Sequence, residues 1–340
     1  MTRTPLAPTT APEAAAPATG RLRTALRAVA IVSCLPYIVI KIAWISGSHL
    51  GIPAGSTLLD HRTTMAVANG ASVLMDSAVV AIALLLTQAR GRRVPAWLLA
   101  LPMWVATGLL LPVMTGYPLQ LLVRALGGNT VNKADAGRPF LREWVFGVVY
   151  GGFILQGLAL GTLFALYAAD RWGHLWQGTL RELPDSPTAP ALRAAAVAAS
   201  LIALVPGILH LLWAAGSAAG LNEARAADRT SGFYVLEAVY VLFVAATVTG
   251  TLLLAFRRRS ALPLRVPLGL AWGGSGVMAC WGGWMSIASL SRTDDIAERP
   301  TPAMVLIYAV QMLVGTLVMT LGAYFLTERS AAAEPAGPST

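Results

Sequence analysis

Four ionisable side chains stand inside otherwise apolar runs of this 340-residue chain: Lys41, Asp76, His210 and Glu237. An ionisable group deep in a membrane helix costs at least ~2.5–3.5 kcal/mol on the insertion scale, so it usually faces protein or water. Lys41 could pair with Asp76 or Glu237. His210 beside Glu237 could exchange a proton near neutral pH. Asn69, Gln156 and Gln311 are the neutral polar residues of the same runs. Lys41, Asn69, Asp76, His210 and Glu237 are therefore the candidates for binding a ligand or forming ion pairs; no catalytic residue is assigned. Each has a plainer reading. Lys41 can snorkel to the interface, His210 can bond two helices together, and Glu237 can be solvated. Asp76 is too short to snorkel from the middle of a span.

The positions of these groups follow from the runs that carry them. Lys41 begins KIAWISGSHLG and His210 begins HLLWAAGSAAG, 169 residues later. Each precedes a tryptophan, Trp44 or Trp213, by one turn, and tryptophan favours the membrane–water interface. At ~1.5 Å per residue, Lys41, His210, Asn69 and Glu237 fall in one layer, roughly 7–9 Å below the outer boundary. Asp76 is seven residues on from Asn69, on the same helical face. This predicts a polar pocket open to the outer face. The small-xxx-small patterns GSHLG, GSAAG and GLALG (157–161) read as close helix contacts.

The elements are membrane helices. The chain is 56% hydrophobic and 12% charged, whereas a soluble domain carries roughly 25% charged residues. Eight segments of about 20 apolar residues are long enough to cross a bilayer: near 25–46, 65–87, 94–116, 144–168, 191–214, 233–255, 264–289 and 302–326. Their runs are continuous rather than alternating, which excludes strands. The net charge of +9 falls in short blocks between the runs, which favours membrane topology over nucleic acid. With the N-terminus inside, the inner segments hold 15 basic against six acidic residues, and the outer ones nine against eight. Both termini are thereby placed in the cytoplasm of a cell-membrane protein. PLQLLVRAL (118–126) reads as a surface or interfacial piece of the outer loop.

The second half repeats the first. Trp104 and Trp272, Gly108 and Gly276, Arg90 and Arg258, and Pro95 and Pro263 are each 168 apart. Tyr150 and Tyr308, Gly157 and Gly315, Asp170 and Glu328, and Arg171 and Arg329 are each 158 apart. The fold class is thus all-α: a polytopic integral membrane protein of eight transmembrane helices in two parallel four-helix repeats. The expected divisions are a disordered tail (1–20), a first repeat (21–172), a cytoplasmic linker (173–190), a second repeat (191–328) and a disordered tail (329–340). The few charged groups are expected to meet where the repeats touch.

Cys34 and Cys280 lie in apolar runs and form no metal or disulfide framework. No nucleotide loop, HExxH or GxSxG motif is present, so neither cofactor nor metal is expected. Twenty-three Arg against two Lys suggests a high-GC, actinobacterial source. The layout LPYIVIKIAWISGSHLG followed by further spans resembles uncharacterised multi-pass membrane proteins of actinobacteria, and the resemblance implies no activity. Three readings remain: a small-molecule transporter or exporter, a membrane-embedded lipid-modifying enzyme, or a non-catalytic membrane partner of a separate ATPase or sensor kinase. The expected partners are the lipid bilayer and a small-molecule substrate or membrane partner protein, with no nucleic acid.

Overall fold

In the bilayer, backbone groups have no water to bond, so an apolar run must satisfy its own amides, which a helix does. The structure, a computed structural model, describes residues 16–59, 62–129, 141–183, 186–227, 229–257, 261–290 and 296–333. Its helices are α1 (Ala16–Ile45), α2 (Arg62–Thr87), α3 (Ala96–Ala125), α4 (Glu143–Trp176), α5 (Ala189–Ala214), the short α6 (Glu223–Ala227), α7 (Ser231–Phe256), α8 (Arg265–Ala288) and α9 (Pro302–Ala333). Among the described residues there is no strand, only one bridge between Thr179 and Pro263.

Seven of these helices are long and apolar enough to cross a membrane, as in an integral multi-pass membrane protein. The eighth expected segment, α8, forms a helix but falls outside that set. Glycine, serine and tryptophan dilute its apolar content. Gly273 to Ala279 are buried without a break, so the middle of α8 is enclosed by protein, against α3, α7 and α9. A helix so enclosed needs small residues more than lipophilic ones. On α1, by contrast, Val29, Val32, Leu35, Val39 and Ile42 are all exposed. Their spacing makes one stripe, which suits lipid.

Two large apolar cores form, each with a smaller cluster around Trp44 or Trp213. Cys34, Ala83, Met103 and Leu160 belong to one, built from α1 to α4. Ala203, Val244, Met278 and Val314 belong to the other, built from α5, α7, α8 and α9. Within the first set, α1 packs on α2 and α4. Within the second, α5 packs on α7 and α9. The sets are joined by α3, which packs on α7 and α8.

The α3–α8 contact is reciprocal. The Trp104 indole donates to Ser275 Oγ at 3.1 Å, and the Trp272 indole donates to Thr107 Oγ1 at 3.4 Å. Between these bonds the backbones touch at Gly108 and Gly276. A Cβ on Gly108 would lie 2.2 Å from the Gly276 carbonyl oxygen. Such glycine contacts let membrane helices gain dispersion and polar contact that lipid does not supply.

Three expectations need correction. PLQLLVRAL is not a separate surface piece, because α3 runs unbroken through Pro112 and Pro118 to Ala125. Its end docks on α7: the Gln120 amide donates to Gly232 O at 3.3 Å, and Ser231 N–H donates to Asn129 O at 2.7 Å. The turn-rich remainder of that loop, 130–140, lies outside the described residues. GSHLG and GSAAG do not form helical small-residue faces, although from the turns Gly51 packs against Val145 of α4 and Gly220 against Ala303 of α9. Gly47, Gly51, Gly216 and Gly220 all have left-handed φ, between 73° and 97°, and lie beyond the ends of α1 and α5. Helix also enters both expected tails, since α1 starts at Ala16 and α9 ends at Ala333. Residues 1–15 and 334–340 lie outside the described set.

The end of the bundle that holds the α4–α5 linker is tied by polar contacts. The linker after α4 meets the segment before α8 through Leu180 N–H to Leu262 O (3.1 Å) and Leu264 N–H to Gly178 O (3.0 Å). Beside it, Thr179 donates its amide and hydroxyl to Glu182, which holds that exposed carboxyl below its ordinary range.

Replacing Gly108 by alanine forces α3 and α8 apart, and overpacking of this kind costs ~1–3 kcal/mol. A Cβ on Gly147 of α4 would meet nothing within 4 Å, so Gly147→Ala should gain ~0.5–1 kcal/mol of helix propensity. Thermal unfolding in detergent should place G108A below and G147A above the parent. A G108A midpoint equal to the parent's would show that the backbones are not in contact.

Candidate functional site

The two matched stretches of the sequence end their helices in the same way. Ser48 N–H returns to Ala43 O and Gly47 N–H to Trp44 O; Ser217 N–H returns to Leu212 O and Gly216 N–H to Trp213 O. These are paired six-to-one and five-to-two helix stops, which need glycine in the left-handed region. The Trp44 indole then donates to Leu50 O at 2.7 Å, and the Trp213 indole to Ala219 O at 2.8 Å. Each tryptophan therefore hooks the loop that follows its helix, and so fixes the residue one turn below it, Lys41 or His210.

His210 lies in a closed polar set within the second half. Its Nδ1 is 2.5 Å from Glu237 Oε2 on α7, and its Nε2 is 2.7 Å from Gln311 Nε2 on α9. The neutral tautomer with Nδ1–H donating to the carboxylate and Nε2 accepting from the amide satisfies both contacts. The imidazole stacks on Tyr240 with centroids 5.0 Å apart and meets Trp213 edge-on at 5.3 Å. His210, Glu237 and Gln311 are all buried. Glu237 is therefore not solvated, as one sequence reading had it. With both ring nitrogens engaged, His210 has no atom left to serve a substrate. The set braces α5, α7 and α9 against one another.

The first half carries an open counterpart. The Lys41 ammonium lies 4.9 Å from the Tyr37 ring centroid and 5.0 Å from that of Trp44. Aromatic faces thus hold the cation, in place of the free snorkelling that the sequence allowed. Asp76 on α2 is 4% exposed. It accepts a hydrogen bond from Gln156 of α4 and feels the Lys41 charge. No ion pair closes between Lys41 and Asp76 among the described residues. Asp76 Oδ2 is buried without any hydrogen-bond partner. A buried carboxylate oxygen without a donor is costly, so this atom calls for a proton or a ligand. Asn69 is buried two turns away on the same face of α2.

The charged groups thus fall into two sets, one inside each half, and not into one set between the halves. Lys41 and Asp76 stand among α1, α2 and α4; His210 and Glu237 stand among α5, α7 and α9. The helices in closest contact across the halves, α3 and α8, carry no Asp, Glu, Lys, Arg or His in their central turns, whereas α7, which also meets α3, carries Glu237. The expectation of a shared pocket assumed that repeats place polar residues at their junction. Here the junction is filled by glycine and paired indoles.

An apolar groove opens between α3 and α4, about 250 Å³ in volume. Thr107, Leu111 and Met114 line it from α3, and Gly157 and Gly161 from α4. Gly157 follows Gln156, the partner of Asp76. The residues 168 further on are Ser275, Ala279 and Gly282. Those smaller side chains let α8 and α9 close: a Cβ on Gly315 would lie 2.4 Å from Ala279 N, and one on Gly282 2.6 Å from Tyr308 O. In the first half the Met114 sulfur lies against Gly157 instead, and the helices stay apart. Sequence reasoning noted Gln156 and Gln311 without assigning them partners, and it missed the groove. The signal available was the replacement of three small residues by three larger ones at the same spacing.

Among the described residues no three His, Cys, Asp or Glu side chains gather as a metal site. Removing His210 should leave Glu237 buried and unpaired. Breaking a buried pair in this way costs ~3–5 kcal/mol, so His210→Ala should unfold at a markedly lower temperature. Glu237→Gln, which keeps a neutral acceptor, should lose less. Equal midpoints for H210A and the parent would remove the bracing role. No protein-family model, curated protein or solved structure matches the chain.

Proposed function

We propose that the chain is a small-molecule transporter or exporter of the cell membrane, with eight crossings arranged as two parallel repeats and both termini in the cytoplasm. The repeat reading is supported by the exchanged indole bonds of Trp104 and Trp272, by the Gly108–Gly276 contact, and by the twin tryptophan hooks. Reciprocity of this kind is what a two-fold axis between similar units produces. An even number of crossings in each unit keeps both in the same orientation, with the axis along the membrane normal. On this reading α8 is the eighth crossing, its low hydropathy explained by its enclosure.

The observation that carries transport is the groove between α3 and α4. It faces small residues and a methionine, so it takes an apolar or amphiphilic solute. The same half also holds, on α2, a buried carboxylate with an unpaired oxygen. The matching place in the second half is closed. One half thus offers a pathway and the other a brace. The enzyme reading fares worse, because the best acid–base couple, His210 with Glu237, is sealed by Gln311, Tyr240 and Trp213.

Proteoliposomes holding the full chain should move at least one member of a panel of cationic, anionic and neutral fluorescent amphiphiles faster than protein-free liposomes. Gly161 lines the groove, and a Cβ there would meet nothing within 4 Å. Gly161→Leu should therefore block movement while the unfolding midpoint holds or rises, since leucine is the better helix former. Asp76→Asn should slow it about tenfold, a barrier change of roughly 1.4 kcal/mol. Movement unchanged by G161L would remove the groove as the path, and a panel with no transported member would remove the function.

A further inference from the structure

A second cavity, also about 250 Å³, lies at the opposite end of the first half. Arg23 of α1, Thr87 and Gln88 at the end of α2, Arg92 of the following turn, and Tyr167, Asp170 and Arg171 of α4 line it. The apolar stretch of α1 begins at Gly20, and that of α2 ends at Thr87. The cavity therefore sits where the helices leave the apolar layer, at headgroup depth.

Its counterpart in the second half is lined by Leu192, Leu254, Ala255 and Phe325 and holds about 30 Å³. By the same spacings these four stand where Arg23, Leu86, Thr87 and Tyr167 stand in the first half. Leucine, alanine and phenylalanine suffice to pack this place. Arginine, threonine and tyrosine replace them in the first half, and the space grows. Packing alone gives no reason for that exchange.

The charges are not balanced. Three arginines line the cavity against one carboxylate. Arg23 Nη2 pairs with Asp170 Oδ2 at 2.6 Å, yet its Nε is buried without a hydrogen-bond partner. Arg171 donates to Tyr167 Oη (2.6 Å), Gly91 O (3.3 Å) and Val94 O (2.9 Å), all neutral acceptors, which fix its direction and leave its charge. Arg92 is exposed, and among the described residues it meets no carboxylate. Gly91 shapes the turn between them: a Cβ there would lie 1.9 Å from Leu85 O.

We infer that this cavity binds the phosphate of an anionic phospholipid headgroup from the leaflet on that side of the membrane. Basic pockets between membrane helices recognise such headgroups, and arginine suits a phosphate diester because its fork offers two parallel donors. The space is below that of a drug-sized ligand site, in keeping with a headgroup alone. The inference rests on the membrane reading and not on transport.

Native mass spectra of the full chain in detergent, titrated with phosphatidylglycerol or phosphatidylcholine, test it. Phosphatidylglycerol should be retained and phosphatidylcholine should not. Arg92→Gln should weaken retention about fivefold, as expected for the loss of one cation near an anionic headgroup. The exposed neighbour Arg93→Gln, which does not line the cavity, should change little. Arg23→Leu with Thr87→Ala and Tyr167→Phe, which copies the second half, should abolish retention. Asp170 loses its partner in that variant, so its unfolding midpoint is read alongside, and R92Q carries the test if the triple variant fails to fold. Equal retention of both lipids, or equal losses in R92Q and R93Q, would overturn the site. Competition by millimolar inorganic phosphate without lipid dependence would assign the cavity to the free anion instead.

Discussion

Helices in lipid are not driven together by the hydrophobic effect, because acyl chains are as apolar as leucine. Something else must join the two halves, and here it is close backbone approach sealed by indole bonds. Gly108 and Gly276 allow the approach, and the hydroxyls of Thr107 and Ser275 take the indole protons that would otherwise be unsatisfied. An indole N–H buried without an acceptor would be a liability in this setting. Glycine thus spaces the helices, and the neighbouring hydroxyls satisfy the tryptophans. Much of the rest follows from that crossing, since α3 is the element through which the first half reaches the second.

Against this shared frame, the halves differ in what they leave open. Three small residues on α8 bring α9 in until backbone meets backbone. Three larger ones on α3 hold α4 away and leave a groove. The polar sets differ in the same sense. His210 has a partner on each ring nitrogen, whereas Asp76 has one bonded oxygen and one bare one. A satisfied buried network stiffens a bundle, whereas an unpaired buried oxygen is costly.

The sequence revealed helices well, because a continuous apolar run has few solutions in lipid. It also placed His210 beside Glu237, since both lie at like depth on neighbouring spans. It failed where three-dimensional neighbours decide. Gly47 and Gly51 look like any glycine pair at a four-residue spacing, and only their left-handed φ reveals a turn. The third span was expected to end near residue 116, but α3 continues through Pro118 to Ala125. α8 is too poor in aliphatic residues to pass a lipophilicity test, since its solvent is other helices. The partners of Asp76 were hidden because Gln156 sits three residues away from the position that matches Gln311. The arginine-lined cavity was invisible because its arginines read only as topology signals.

The placement of α3 bears on how the chain is made. Synthesis delivers α3 long before α7 and α8 leave the ribosome. Until they do, its glycine face and the indole of Trp104 have no mate. A nascent chain stopped after α4 would present that seam to the bilayer, or to whatever insertion machinery shields it, and would be recognised as unfinished. Assembly of the bundle is thus completed from the C-terminal side, with the early helix waiting for the late ones.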